Sequence, residues 1–79
     1  MYCISKDKNR LVNTDRFSIN KVPGAIKYNQ DRSGDVHESY YCIVADSMYM
    51  EVFETEEEAK AKLLKVLKAL SEDTEIFEF

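Results

Sequence analysis

The stretch from Thr55 to Leu70 reads as an amphipathic helix, and that limits what the rest of the chain can become. Thr55 and Glu58 are spaced as T-x-x-E, the pairing in which a hydroxyl and a carboxylate satisfy free amides in a helix's first turn. Glu56, Glu57 and Glu58 put negative charge at the positive end of the helix dipole. Ala59, Leu63, Val66, Leu67 and Leu70 fall at i, i+4, i+7, i+8 and i+11, an apolar stripe widened by Leu64. Lys62, Lys65 and Lys68 are predicted to face water, with Glu58 and Lys62 in the favourable i,i+4 order. One helix of about four turns must bury that stripe, and the remaining sequence offers strands to bury it against.

Tyr2–Ser5 and Arg10–Asn13 are strand candidates joined by the polar loop Lys6-Asp7-Lys8-Asn9, a hairpin pattern. After the turn residues Asn13-Thr14-Asp15, Phe17 and Ile19 alternate with Ser18 and Asn20, the period of a half-buried strand. Pro23-Gly24 suits a type II turn, and Ile26 and Tyr28 alternate in a fourth strand before the loop Asp31–Asp35. From Tyr40 to Ala45 both parities are apolar, which predicts a strand covered on both faces. Asp46-Ser47 turns the chain into Met48–Phe53, where Met48, Met50 and Val52 are predicted to point to the core and Tyr49, Glu51 and Phe53 away from it. The end, residues 74–79, can add a last strand that folds back and buries Phe77 and Phe79.

The expected fold is therefore α+β, a curved antiparallel sheet of five or six strands in a meander with one amphipathic helix packed across one face. The 79 residues make a single domain, with strands within 1–54, the helix at about 55–70 and the terminal strand at 74–79. The predicted core is Ile4, Leu11 or Val12, Phe17, Ile19, Ile26, Ile43, Met50, Val52, Leu63, Val66, Leu67 and Leu70.

A chain this short needs help to be stable, from disulfides, metal or self-association. Cys3 and Cys42, 39 residues apart and in strand-like apolar runs, read as reduced and buried, with no C-x-x-C pair for zinc. No run approaches the ~18 apolar residues of a membrane span, and no basic-then-apolar leader precedes the first strand. These features set the expectation of a cytoplasmic protein, with homo-oligomerisation as the extra source of stability.

Catalytic material is sparse. His37 is the one histidine, and no G-x-S-x-G, H-E-x-x-H or phosphate-binding glycine pattern occurs. A Cys42–His37 dyad would stand five residues apart, on opposite faces of a regular strand and about 16 Å from contact. Asp31, Asp35, His37 and Glu38 could offer metal ligands, but an EF-hand needs Glu where the chain has Cys42, and aspartate and glycine are ordinary turn residues. The expectation is no catalytic residue, no metal and no cofactor.

Charge is distributed unevenly: residues 1–40 carry a net +2 and residues 41–79 a net −6. Lys6, Lys8 and Arg10, with Lys27, Tyr28 and Arg32, could contact a nucleotide or single-stranded nucleic acid by charge and stacking. A net charge of −4 lacks the usual footprint of such binding and disfavours direct nucleic-acid contact. Glu51, Glu54, Glu56, Glu57 and Glu58 lie within eight residues. Helix capping explains much of that run, but beside Tyr49 and Phe53 it also makes a candidate protein interface, an acidic and aromatic patch suited to a basic groove.

Arg10-Leu11-Val12-Asn13 with Asp15, the strands that follow, then Thr55-Glu56-Glu57-Glu58-Ala59 and Leu63 to Leu70 resemble small uncharacterised proteins of bacteria, phages and mobile elements. Those proteins share an L-V-N-x-D turn and a T-E-E-E-A…L…L…A-L helix. The resemblance implies a β-meander with a helix and a phage or prophage setting, and it carries no catalytic residue. The expected function is a non-enzymatic module that occupies the surface of a host protein in the host-cell cytosol, an anti-CRISPR inhibitor being the most concrete version. The alternatives are a self-assembling structural domain, favoured if Tyr49, Phe53 and Phe79 are buried between identical chains, and a nucleotide binder in an oligomer using Arg10, Lys27 and Arg32.

Overall fold

The computed structural model describes residues 1–23 and 39–79, arranged as β1 (Tyr2–Ile4), β2 (Leu11–Asn13), β3 (Phe17–Pro23), β4 (Ser39–Ala45), β5 (Met48–Phe53), α1 (Glu56–Ser71) and β6 (Ile76–Glu78). The predicted strand through Ile26 and Tyr28, and the turn after Pro23, lie outside the described residues.

The α+β class and the antiparallel meander are present, but the strands form two small sheets instead of one. β3, β4 and β5 pair antiparallel in sequence order, while β1 sits between β2 and β6. β6 runs parallel to β1, Tyr2 opposite Ile76 and Ile4 opposite Glu78. A strand that returns across a helix arrives pointing the way its predecessors left, so a terminal strand after α1 need not continue an antiparallel meander. The C-terminal segment thus folds back within its own chain, with Phe79 buried and its ring 4.9 Å from that of Phe77 in an edge-to-face contact.

Local chemistry explains the ends of the elements. In the β1–β2 loop Ser5 Oγ donates to the Asp7 carboxylate and accepts from Arg10 N–H, and Asn9 N–H donates to the same carboxylate. Asp46 and Ser47 both have positive φ, 48° and 73°, the backbone of a two-residue type I′ hairpin. Thr55 caps α1, its Oγ1 accepting from Glu58 N–H at 3.2 Å. At the other end Thr74 N–H reaches Ala69 O and Asp73 N–H reaches Leu70 O, a Schellman closure with Asp73 in the left-handed position at φ 56°.

The core lies between the inner face of β3–β4–β5, the helix and the inner face of the smaller sheet. Cys3, Ile43, Ala45, Met50, Val66 and Phe79 are its buried members, with Val12, Phe17, Ile19, Phe53, Leu63 and Phe77 packed against them. Of the alternatives Leu11 or Val12, Val12 packs on the core and Leu11 is exposed; the predicted core residues Val52 and Leu67 are exposed, as is Leu64 of the predicted apolar stripe. Leu11 yields to Val12 because Cys3, opposite Val12, is the inward residue of β1. On α1 the inward set is Ala59, Lys62, Leu63, Val66, Ala69 and Leu70, so the buried stripe is rotated toward Lys62 and away from Leu64 and Leu67.

Candidate functional site

The placement of β5 decides what the predicted interface residues can do. A two-residue turn sets Ala45 opposite Met48 and Val44 opposite Tyr49. A regular ladder would continue with Met50 opposite Ile43 and leave Phe53 pointing outward. Instead the register shifts, and Glu51 lies opposite Ile43, Val52 opposite Cys42 and Phe53 opposite Tyr41. Met50 is the extra residue of a β-bulge, which reverses the alternation beyond it. Two gains accompany it: Phe53 packs on the core in place of the smaller Val52, and the Met50 carbonyl accepts Lys6 N–H at 2.8 Å, tying the β1–β2 loop to β5.

The seven residues of the predicted acidic and aromatic patch therefore do not share one face. Phe53 and Glu51 turn inward. The Glu51 carboxylate lies 3.5 Å from the Lys62 ammonium, the two side chains only 16 % and 23 % exposed. The same ammonium stands 5.8 Å from the ring centres of Phe77 and Phe79. Lys62 thus does not face water beside Glu58, as its spacing suggests; it joins α1 to β5 and β6. Tyr49 remains outward, 46 % exposed, on the face of Val44 and Cys42, and Val52 joins it there at 56 %. Val52 is the residue sequence alternation misses. Glu54, Glu56, Glu57 and Glu58 are exposed around the corner from β5 into α1. Glu56 pairs with Lys60 at 2.9 Å, a hydrogen bond that raises the Lys60 pKa.

The basic candidates divide as well. Lys6, Lys8 and Arg10 are exposed on the β1–β2 loop, with the Arg10 guanidinium 3.7 Å from the Asp7 carboxylate. Lys27, Tyr28 and Arg32 lie outside the described residues, as do Asp31, Asp35, His37 and Glu38. Among the described residues no group of three His, Cys, Asp or Glu side chains could hold a metal ion, and no helix is long and apolar enough to cross a membrane.

Cys3 and Cys42 are free thiols at zero exposure. Burial raises the pKa of both; the nearby amino group opposes the shift at Cys3, and the Met50 and Glu51 amides and the Arg10 charge oppose it at Cys42. An open groove of about 820 Å³ runs between β1, β6 and the end of α1, with Tyr2, Asp15, Asp73, Glu75 and Ile76 on its walls. None of the predicted site residues lines it, and the Asp15 carboxylate is engaged by the Met1 amino group at 3.1 Å. Compared with known protein families, curated proteins and solved structures, the chain matches none.

Proposed function

We propose that this chain is a non-enzymatic protein-binding module that occupies a partner's surface with the outward face of β5 and the carboxylates that follow it. The observation that carries the reading is the bulge at Met50, which leaves Tyr49 and Val52 exposed on one face with Glu54 just beyond. An aromatic anchor, an aliphatic neighbour and a charged rim have the composition of a protein interface. The carboxylates from Glu54 to Glu58 suit a basic groove, where complementary charge speeds encounter and fixes register. The two thiols support binding over nucleophilic catalysis, because buried thiols with raised pKa are inert near neutral pH. Joined to the resemblance to small phage and prophage proteins, this makes an inhibitor of a host protein, such as an anti-CRISPR acting in the host-cell cytosol, the concrete form of the proposal.

The self-assembly alternative, in the form that places Phe53 and Phe79 between identical chains, has less support, since both pack within their own chain. The test is affinity capture from lysate of the encoding cells with the wild-type chain and two variants, Tyr49→Ala/Val52→Ser and Glu54→Lys. One protein held stoichiometrically by the wild type, released by salt and lost with both variants, is the expected result. Equal capture by all three would overturn the assignment of the surface.

A further inference from the structure

We propose that the outward face of α1 pairs antiparallel with the same face of a second copy of this chain. The inward residues of the helix are Ala59, Lys62, Leu63, Val66, Ala69 and Leu70. At 100° per residue the line opposite to them runs through Glu57, Ala61, Leu64 and Lys68, spaced i, i+4, i+7 and i+11. All four are exposed, and Leu64 at 68 % is the most exposed large apolar side chain among the described residues. A leucine there leaves about two thirds of its surface to solvent.

The stripe is complementary to itself when reversed. Laid antiparallel on a two-fold axis, Glu57 meets the partner's Lys68, Ala61 meets the partner's Leu64, and both contacts recur on the other side of the axis. The small Ala61 leaves room for the leucine that faces it, and each carboxylate meets an ammonium. On one flank Lys65 falls beside the partner's Glu58, again opposite in sign. On the other, Lys60 is held toward its own Glu56 at 2.9 Å, and Leu67 covers the aliphatic stem of the partner's Lys60. A parallel pairing would set Glu56–Glu58 against the same carboxylates and Lys65 and Lys68 against the same ammonium groups. Charge therefore selects both the occupant and its direction. Two leucines per chain make a small seam, so the dimer is weak and salt-sensitive. Glu57 and Glu58 also belong to the acidic corner assigned to a protein partner, so the two surfaces compete there; the seam does not depend on that assignment.

The test is sedimentation velocity over a wide range of concentration in low salt. The wild type should rise from 9.2 kDa toward twice that mass. Leu64→Arg, at an exposed position outside the core cluster, should stay monomeric with an unchanged circular dichroism spectrum. Glu57→Lys and Lys68→Glu should each weaken self-association about tenfold or more. Mixed in equal amounts they should restore it. The antiparallel register then sets the lysine introduced in one chain against the glutamate introduced in the other, and the native Lys68 of the first against the native Glu57 of the second. A wild type monomeric at every concentration, a Leu64→Arg dimer, or a mixture no stronger than its components would each overturn the proposal. Tyr49→Ala/Val52→Ser should dimerise like the wild type, which separates this result from the failure of the partner-binding surface.

Discussion

Replacing Lys62 with methionine keeps the aliphatic stem of the side chain and removes its ammonium. In the native chain that ammonium is 3.5 Å from the Glu51 carboxylate and 5.8 Å from two phenylalanine rings. Glu51 Oε1 is buried and has no hydrogen-bond partner, so the lysine charge is what compensates it. Breaking a fully buried pair costs about 3–5 kcal/mol because one charge is left uncompensated. An exposed pair is worth about 0–1 kcal/mol. With the two side chains 16 % and 23 % exposed, the cost should fall toward the buried end, at about 2–3 kcal/mol. For a domain of this size that lowers Tm by about 10–20 °C. Adding Glu51→Leu should then recover most of the loss, because an apolar side chain of similar volume needs no counter-charge. Thermal and urea unfolding followed by circular dichroism measure both variants. A loss under about 0.5 kcal/mol for Lys62→Met would mean a solvent-screened surface pair. A double variant as unstable as the single would mean that the stem and its ring contacts, not the orphaned carboxylate, set the cost.

Three further outcomes follow from particular positions. Ser47 holds φ 73° without being glycine. Left-handed backbone costs an L-residue about 1–2 kcal/mol, so Ser47→Gly should gain about 0.5–1 kcal/mol after glycine's greater unfolded-state entropy, measured as a higher Tm; a drop would contradict the type I′ turn. The Ser5 hydroxyl first, then the Asn9 amide, hold the Asp7 carboxyl below its ordinary 3.8. A depressed native pKa adds stability at pH above the unfolded value and loses it as pH falls through the native one; Asp7→Asn should therefore flatten the acid limb of the Tm–pH curve, and an unchanged limb would refute the network. Cys3 and Cys42, buried and raised in pKa, should react with a thiol reagent only on unfolding, so rapid labelling of either native thiol would contradict their burial.

Elements whose signals are local were legible in the sequence. The Thr55 cap, the acidic first turn and the β1–β2 hairpin depend on residues a few positions apart, and each stands where the pattern puts it. The apolar run Tyr40–Ala45 reads as a strand covered on both faces, and Cys42 to Ala45 are buried in β4, which lies between β3 and β5. Signals that depend on tertiary choice were not legible. Both the regular register and the bulged one bury Met50; they differ in whether Val52 or Phe53 follows it inward, and it is the larger ring that packs against the buried core. No glycine marks the bulge. The spacing of Lys62 predicts a solvated lysine, while its partner Glu51 lies eleven positions back on another element. The parallel pairing of β6 depends on where the helix ends in space, which no local pattern encodes. Among the residues of β5 in the proposed interface the same division holds: Tyr49 is exposed as its alternation suggests, while Val52 is exposed and Phe53 packs on the core.

Which residue of β5 joins Tyr49 on the outward face depends on the extra residue at Met50, so the register beyond it is the property to measure first. Cross-strand nuclear Overhauser contacts of the labelled chain report it directly. Backbone contacts of Tyr49 with Val44 and of Glu51 with Ile43, together with Phe53 ring contacts to the core, are the predicted result. Contacts placing Met50 opposite Ile43 and Glu51 opposite Cys42, with Val52 in the core and Phe53 in water, would contradict it and return the surface to Tyr49, Glu51 and Phe53.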